Sequence, residues 1–145
     1  MNLKCKEISI MDLCNVERAV SGKTYKAGSC YIKLSAVDES VGQITEDEEI
    51  ESRFAVFEPK EQMNTDYLYI AIQRRFPEFL RRYRTTINLQ FDTLKHFFLY
   101  WHQDEETQEY IVSAIAAVDN EIALVEKQIE DERELKRWYL NKMMR

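Results

Sequence analysis

The chain has 145 residues, 45% of them hydrophobic and 12% aromatic, which is the size of one ordinary domain with enough bulky side chains to fill a core. A formal net charge of −6 argues against the simplest electrostatic signature of a nucleic-acid partner. No apolar run reaches the length of a membrane span and the start carries no apolar signal core, so a cytoplasmic protein with no membrane partner is expected.

Taken in chain order, Lys4 to Leu13 suits a short strand and a helical turn, with Ile8, Ile10 and Leu13 pointing to a core. Ser21 to Ser29 holds two of the three glycines and reads as a loop. Cys30 to Leu34 and Arg53 to Phe57 alternate with period two and are strand candidates. The acidic run Glu46 to Glu49 between them reads as a solvated turn; it lacks the glycine and the spacing of a calcium loop. Three cysteines, Cys5, Cys14 and Cys30, are widely spaced and far from His96 and His102, which is not the tight ligand pair of a zinc site. No metal and no cofactor are expected, and the thiols read as reduced and mostly buried.

After Pro59, Asn64 or Thr65 can cap a helix whose apolar face is Tyr67, Leu68, Ile70, Ala71 and Ile72, running to Phe76. Pro77 is expected to interrupt it, because its ring removes a donor and disfavours a helical residue before it; a second short helix then runs from Pro77 to Tyr83. Thr85 to Gln90 reads as extended or looped, Phe91 to Lys95 as a short helix and His96 to Trp101 as a strand. From Glu105 to Met144 the chain reads as one helix, in which Ile111, Ile115, Val118, Ile122, Val125 and Ile129 alternate in steps of four and three. That spacing is the seam of a coiled coil, and a seam needs a second strand, so a homodimer is expected. Packing of the stripe on the chain's own domain is the plainer alternative. From about Glu132 the register slips and Leu135, Trp138, Tyr139 and Leu140 take over. The reading is α+β: a globular domain over residues 1–103, then a coiled-coil dimerisation helix over residues 104–145.

Charge is unevenly spread. Asp104 to Arg145 holds 11 acids against 6 bases, while Met1 to Gln103 is nearly neutral with 15 acids and 14 bases. Within the latter, Arg74, Arg75, Arg81, Arg82, Arg84 and Lys95 face only Glu78 and Asp92. Arginine's rigid fork suits phosphate oxygens, so Arg74, Arg75, Arg81, Arg82 and Arg84 are phosphate-binding candidates. A solvated helix face with Glu78 pairing one turn away is the competing reading. Amides and hydroxyls at Thr85, Thr86, Asn88 and Gln90 could meet base edges, or equally build an ordinary turn. Lys23, Thr24, Tyr25 and Lys26, with Lys33 and Ser35, form a second candidate surface. No catalytic constellation, Gly-rich phosphate loop or methyl-donor motif is present, and the chain is not expected to be an enzyme.

Several segments in order carry a resemblance: Tyr31 to Ala36, Glu51 to Phe57 with Pro59, Tyr67-Leu68-Tyr69, Ile87 to Phe91 with Leu94-Lys95, the helix start Glu105-Glu106-Thr107-Gln108, and the ending Leu135-Lys136 with Leu140-Asn141-Lys142-Met143. Together the chain resembles a half-size specificity subunit of type I restriction-modification systems, with one target-recognition domain and one spacer helix. The resemblance implies a non-enzymatic protein that recognises double-stranded DNA, pairs through antiparallel spacers and docks a methyltransferase subunit. A two-fold pair would prefer a palindromic split site. Unlike many members of that family, the stretch Leu99 to Gln103 has no proline hinge. The alternative is a DNA-independent interaction or decoy module, of phage or mobile-element origin, that binds restriction-modification subunits.

Overall fold

Strand β1 (Lys6–Ser9) opens a computed structural model that describes residues 3 to 144. Ser9 caps the one-turn helix α1 (Ile10–Leu13), its hydroxyl accepting from the Met11 amide at 3.2 Å, and places Ile10 in the core. Then follow β2 (Cys14–Arg18), β3 (Thr24–Tyr25), β4 (Cys30–Lys33), β5 (Val41–Gln43), β6 (Glu48–Glu49) and β7 (Phe54–Pro59). Helix α2 (Thr65–Tyr83), a 3-10 turn (Phe91–His96), β8 (Phe98–Trp101) and helix α3 (Glu105–Met143) complete the order. The class is α+β with a long C-terminal helix, as the sequence pattern indicates. By its internal contacts the chain divides into a unit over Met1–Glu109 and a helical unit over Tyr110–Arg145.

The sheet at the centre of the first unit is antiparallel, in the order β2-β7-β4-β5. β7 explains why it holds that place. Ala55, Val56 and Phe57 are all fully buried, a continuous apolar run that only a strand covered on both faces tolerates. Val56 packs with Ala19, Tyr25, Ile44 and Ile50, whereas Phe57 meets Phe97 with ring centroids 6.1 Å apart. Phe97 in turn contacts Phe76 and Phe79 of α2 at 6.2 and 4.8 Å. β1 pairs with β8, and β3 with β6.

Three features differ from the sequence reading. The stretch Ser21 to Ser29 is not all loop: Thr24 and Tyr25 pair with Glu49 and Glu48, so the acidic run supplies strand β6 rather than a free turn. Burial of Tyr25 drives this, since its hydroxyl accepts from the Val20 amide at 3.0 Å and its ring lies in the Val56 cluster. Strands β2 and β5 have no counterpart in the sequence reading; β5 passes Gly42 directly beneath the Tyr31 ring, where an added Cβ would lie 2.1 Å from Tyr31 Cζ. The cysteines are free and mostly buried, as the sequence indicates: Cys14 and Cys30 are buried and Cys5 is exposed.

The third difference is Pro77, which lies inside a continuous α2 instead of ending it. Proline in a helix interior costs about 3 kcal/mol. Here Phe79 and Leu80 beyond it are buried, and burying such side chains contributes roughly 1.5–3 kcal/mol each. Packing therefore outweighs the local penalty. The helix starts as expected, Asn64 Oδ1 accepting from the Tyr67 amide at 3.1 Å, and ends where Arg84 donates its amide to Leu80 at 2.9 Å.

Candidate nucleic-acid interface

Because α2 does not break at Pro77, its arginines share one regular helix. At about 100° per residue, Arg74, Arg75, Arg81 and Arg82 fall within one sector of about 120°, with Glu78 among them. The opposite side, with Leu68, Ile72, Phe76 and Leu80, is buried. The same continuity that buries one face thus gathers the cations on the other.

The guanidinium groups are engaged within the domain. Arg74 donates to Glu78 at 2.9 Å, and this bond holds the Glu78 carboxyl below its ordinary range and the Arg74 guanidinium above its own. Arg75 lies over the Tyr100 ring at 4.1 Å and 3.8 Å from Glu7, with its side chain only 20% exposed, so much of its surface is committed to packing. Arg81 lies 3.6 Å from Glu39, and Arg82 lies over Tyr83 at 5.6 Å. Arg84 donates to the Ala36 carbonyl at 3.2 Å.

Those last contacts bring two loops together beside the end of α2. Ser35 and Asn88 form a bridge, and Thr85 Oγ1 donates to the Asn88 carbonyl at 2.9 Å and accepts the Asn88 amide at 3.1 Å. Gln90 donates to Asn88 Oδ1 at 3.2 Å. Asn88 and Gln90 therefore have local partners of the turn-building kind, while Thr86 is exposed at the tip. Lys33 leads into the same region at the end of β4, where Asp38, bonded by the Ser40 hydroxyl and amide, is held below its ordinary range.

The second candidate surface is elsewhere. Tyr25 is a core residue with 1% of its surface exposed, which corrects its assignment as a contact residue. Lys23 and Lys26 flank it in the chain, and Gly28, two residues beyond Lys26, lies against Thr65 at the start of α2, about 24 Å along that helix from Arg81 at a rise of 1.5 Å per residue. Lys23 is paired with Glu17 at 2.6 Å, a bond that lowers the Glu17 carboxyl and raises the Lys23 amine. The structure thus joins Arg81, Arg84, Lys33, Thr86, Asn88 and Gln90 in one region and sets Lys23 and Lys26 apart.

Two residues of that region escaped the sequence reading. Ile87 is 85% exposed and Val37 is 81% exposed, at the tips of the two bridged loops. The available signal was weak: an aliphatic side chain in each of two largely polar stretches, Thr85 to Gln90 and Ser35 to Ser40, close to Leu89 and Ala36, which are buried.

In the helical unit, Ile115, Val118, Ile122, Val125 and Ile129 are between 41% and 52% exposed. Among the described residues no cluster of His, Cys, Asp and Glu is arranged to hold a metal ion, and no helix is long and apolar enough to cross a membrane.

No protein-family model matches the sequence, and no curated protein matches it either. Solved structures do. The S subunit of a type I restriction-modification system from M. genitalium is 13% identical with a TM-score of 0.72, over 97% of this chain and 46% of that one. A chain from work on complex assembly and conformational transition of the type I R-M system is 16% identical, TM-score 0.76, over 95% and 44%. The HsdS subunit from Thermoanaerobacter tengcongensis is 16% identical, TM-score 0.69, over 95% and 43%. The chain spans less than half the length of each, and its structure has the fold of one half of a type I restriction-modification S subunit.

Proposed function

We propose that the chain is a DNA-recognition subunit of a type I restriction-modification-like complex, itself non-catalytic, that pairs with a second copy through α3 and docks a methyltransferase subunit. The observation that carries this reading is the likeness to S subunits along more than nine-tenths of the chain, through both the sheet unit and the long helix. On this reading Arg74, Arg81, Arg82 and Arg84 anchor phosphates, and the loop from Thr86 to Gln90 with Lys33 approaches the bases. Lys23 and Lys26 serve as outlying phosphate contacts, and Arg75 holds the helix to Tyr100. On this reading two copies rebuild a two-unit plan by dimerising, so the site is expected to be a split palindrome.

The test is selection from random duplex DNA, followed by a salt titration. Replacing Arg81 and Arg82 together by alanine is expected to weaken binding and lower the slope of log affinity against log salt by about 1–2. Unchanged affinity and slope would remove the cluster from the interface.

A second reading has one specific observation behind it: Arg74, Arg75 and Arg81 each lie beside an acid of the same domain, in a chain of net charge −6. The chain would then be an interaction or decoy module for restriction-modification subunits. Co-purification with a methyltransferase, with no shift of any duplex, separates it from the first.

A further inference from the structure

Among the described residues, Ile87 and Val37 are the two most exposed large apolar side chains, at 85% and 81%, and both stand at loop tips beside the end of α2. Neither tip is slack. The Thr85 hydroxyl accepts the Ile87 amide at 3.4 Å and the Ser35 hydroxyl accepts the Val37 amide at 3.3 Å, so the same device, a hydroxyl two residues upstream, sets both. Beneath them Leu89 and Ala36 are buried, the Ser35–Asn88 bridge joins the loops, and Arg84 donates to the Ala36 carbonyl. Scattered apolar residues on a surface need no such anchoring; a pair held out to water on braced backbone is suited to contact.

The surroundings indicate what the tips meet. Thr85, Asn88 and Gln90 spend hydrogen bonds on one another, and Asp38 takes the Ser40 hydroxyl and amide. Glu39 lies 3.6 Å from Arg81, which offsets its charge, and Lys33 and Arg84 border the same loops. Apolar points with cations around them suit a partner that is anionic outside and apolar at a few spots. The base edges of duplex DNA carry one apolar substituent, the thymine 5-methyl group, which lies in the major groove. Against the polar edge of another base, Ile87 would leave donors and acceptors without partners. Across an antiparallel bridge Cα atoms lie about 5 Å apart and each further residue spans at most about 3.6 Å. Ile87 and Val37 are therefore within roughly 16 Å, no more than about five base-pair steps of 3.4 Å.

We propose that Ile87 and Val37 read thymine: each packs against the 5-methyl group of a thymine, on either strand, in the major groove, and the two thymines lie within about five base pairs of each other in one half-site. This rests on the DNA reading above and adds to it which base the loop tips accept. Arg81 and Arg84 then position the loops through phosphates without choosing the sequence. Branching at Cβ keeps both side chains stiff at χ1, so little rotamer freedom is lost on contact.

The experiment takes the duplex selected by the full chain and replaces its thymines one at a time by deoxyuridine, which deletes the methyl group and keeps the base pair. Uracil at the position facing Ile87 should weaken binding about fourfold, the effect of leaving one methyl group unburied. In Ile87→Ala the same replacement should change nothing, and Val37→Ala should silence a second thymine within about five base pairs of the first. Both residues lie outside the core, so urea unfolding should match the parent, and the salt slope should too, because no phosphate contact is lost. Indifference to uracil at every thymine, or an undiminished loss in both variants, overturns the proposal. Weaker binding by Ile87→Ala without any effect of uracil makes the side chain a wedge between base steps, and overturns it too. A chain that selects no duplex rejects the DNA reading itself, and this inference with it.

Discussion

Residues with several polar partners show how little of a side chain's environment is legible in one dimension. Tyr67 Oη accepts the His102 amide at 2.9 Å and lies 2.7 Å from His102 Nδ1, so its own proton goes to that nitrogen and His102 keeps its proton on Nε2, facing the Leu3 carbonyl at 3.2 Å. Residues 35 positions apart make this link, and no local pattern announces it. The cysteines were more readable, because widely spaced thiols without ligand partners behave as small apolar residues. Burial pushes Cys14 and Cys30 up to about 12, while Cys5 is exposed. At pH 8 a thiol reagent should therefore modify Cys5 rapidly, and Cys14 and Cys30 only once denaturant unfolds the chain. Rapid reaction of all three in the native protein would contradict the burial described.

Among elements, α2 shows where local rules lose. Its cap at Asn64 and its apolar spacing were legible, because both depend on neighbours within a turn or two. Its passage through Pro77 was not, because the compensating burial of Phe79 and Leu80 comes from Phe97 and residues beyond the helix. Pro77→Ala is accordingly expected to stabilise the protein by about 1–3 kcal/mol, read from urea unfolding at constant slope. A destabilised variant would mean that the proline ring itself is a needed packing surface. Strands β3 and β6 were missed for a related reason: two-residue strands have no periodicity to detect, and they exist because Tyr25 must be covered.

At the scale of the whole molecule, the exposed seam on α3 is the feature that a single chain leaves unsatisfied. If two copies pair through it, Ile122→Glu should give a monomer in sedimentation and abolish the dependence of the melting temperature on protein concentration, with the near-ultraviolet signal of the aromatic core retained. A dimer that survives this change pairs through another surface. The sequence alone determined the class, the long helix and its seam, since helical period and charge are local properties that a single strand of text preserves. It also located the arginines and Glu78 as a partner one turn away, though not Glu7, Glu39 or Tyr100. Packing between distant segments settled that β7 is covered on both sides, that Tyr25 belongs to the core, and that Lys23 and Lys26 are set apart from Arg81 and Arg84. Those outcomes depend on which faces distant segments bury together, and burial is a property of the assembled layers, not of any stretch of chain.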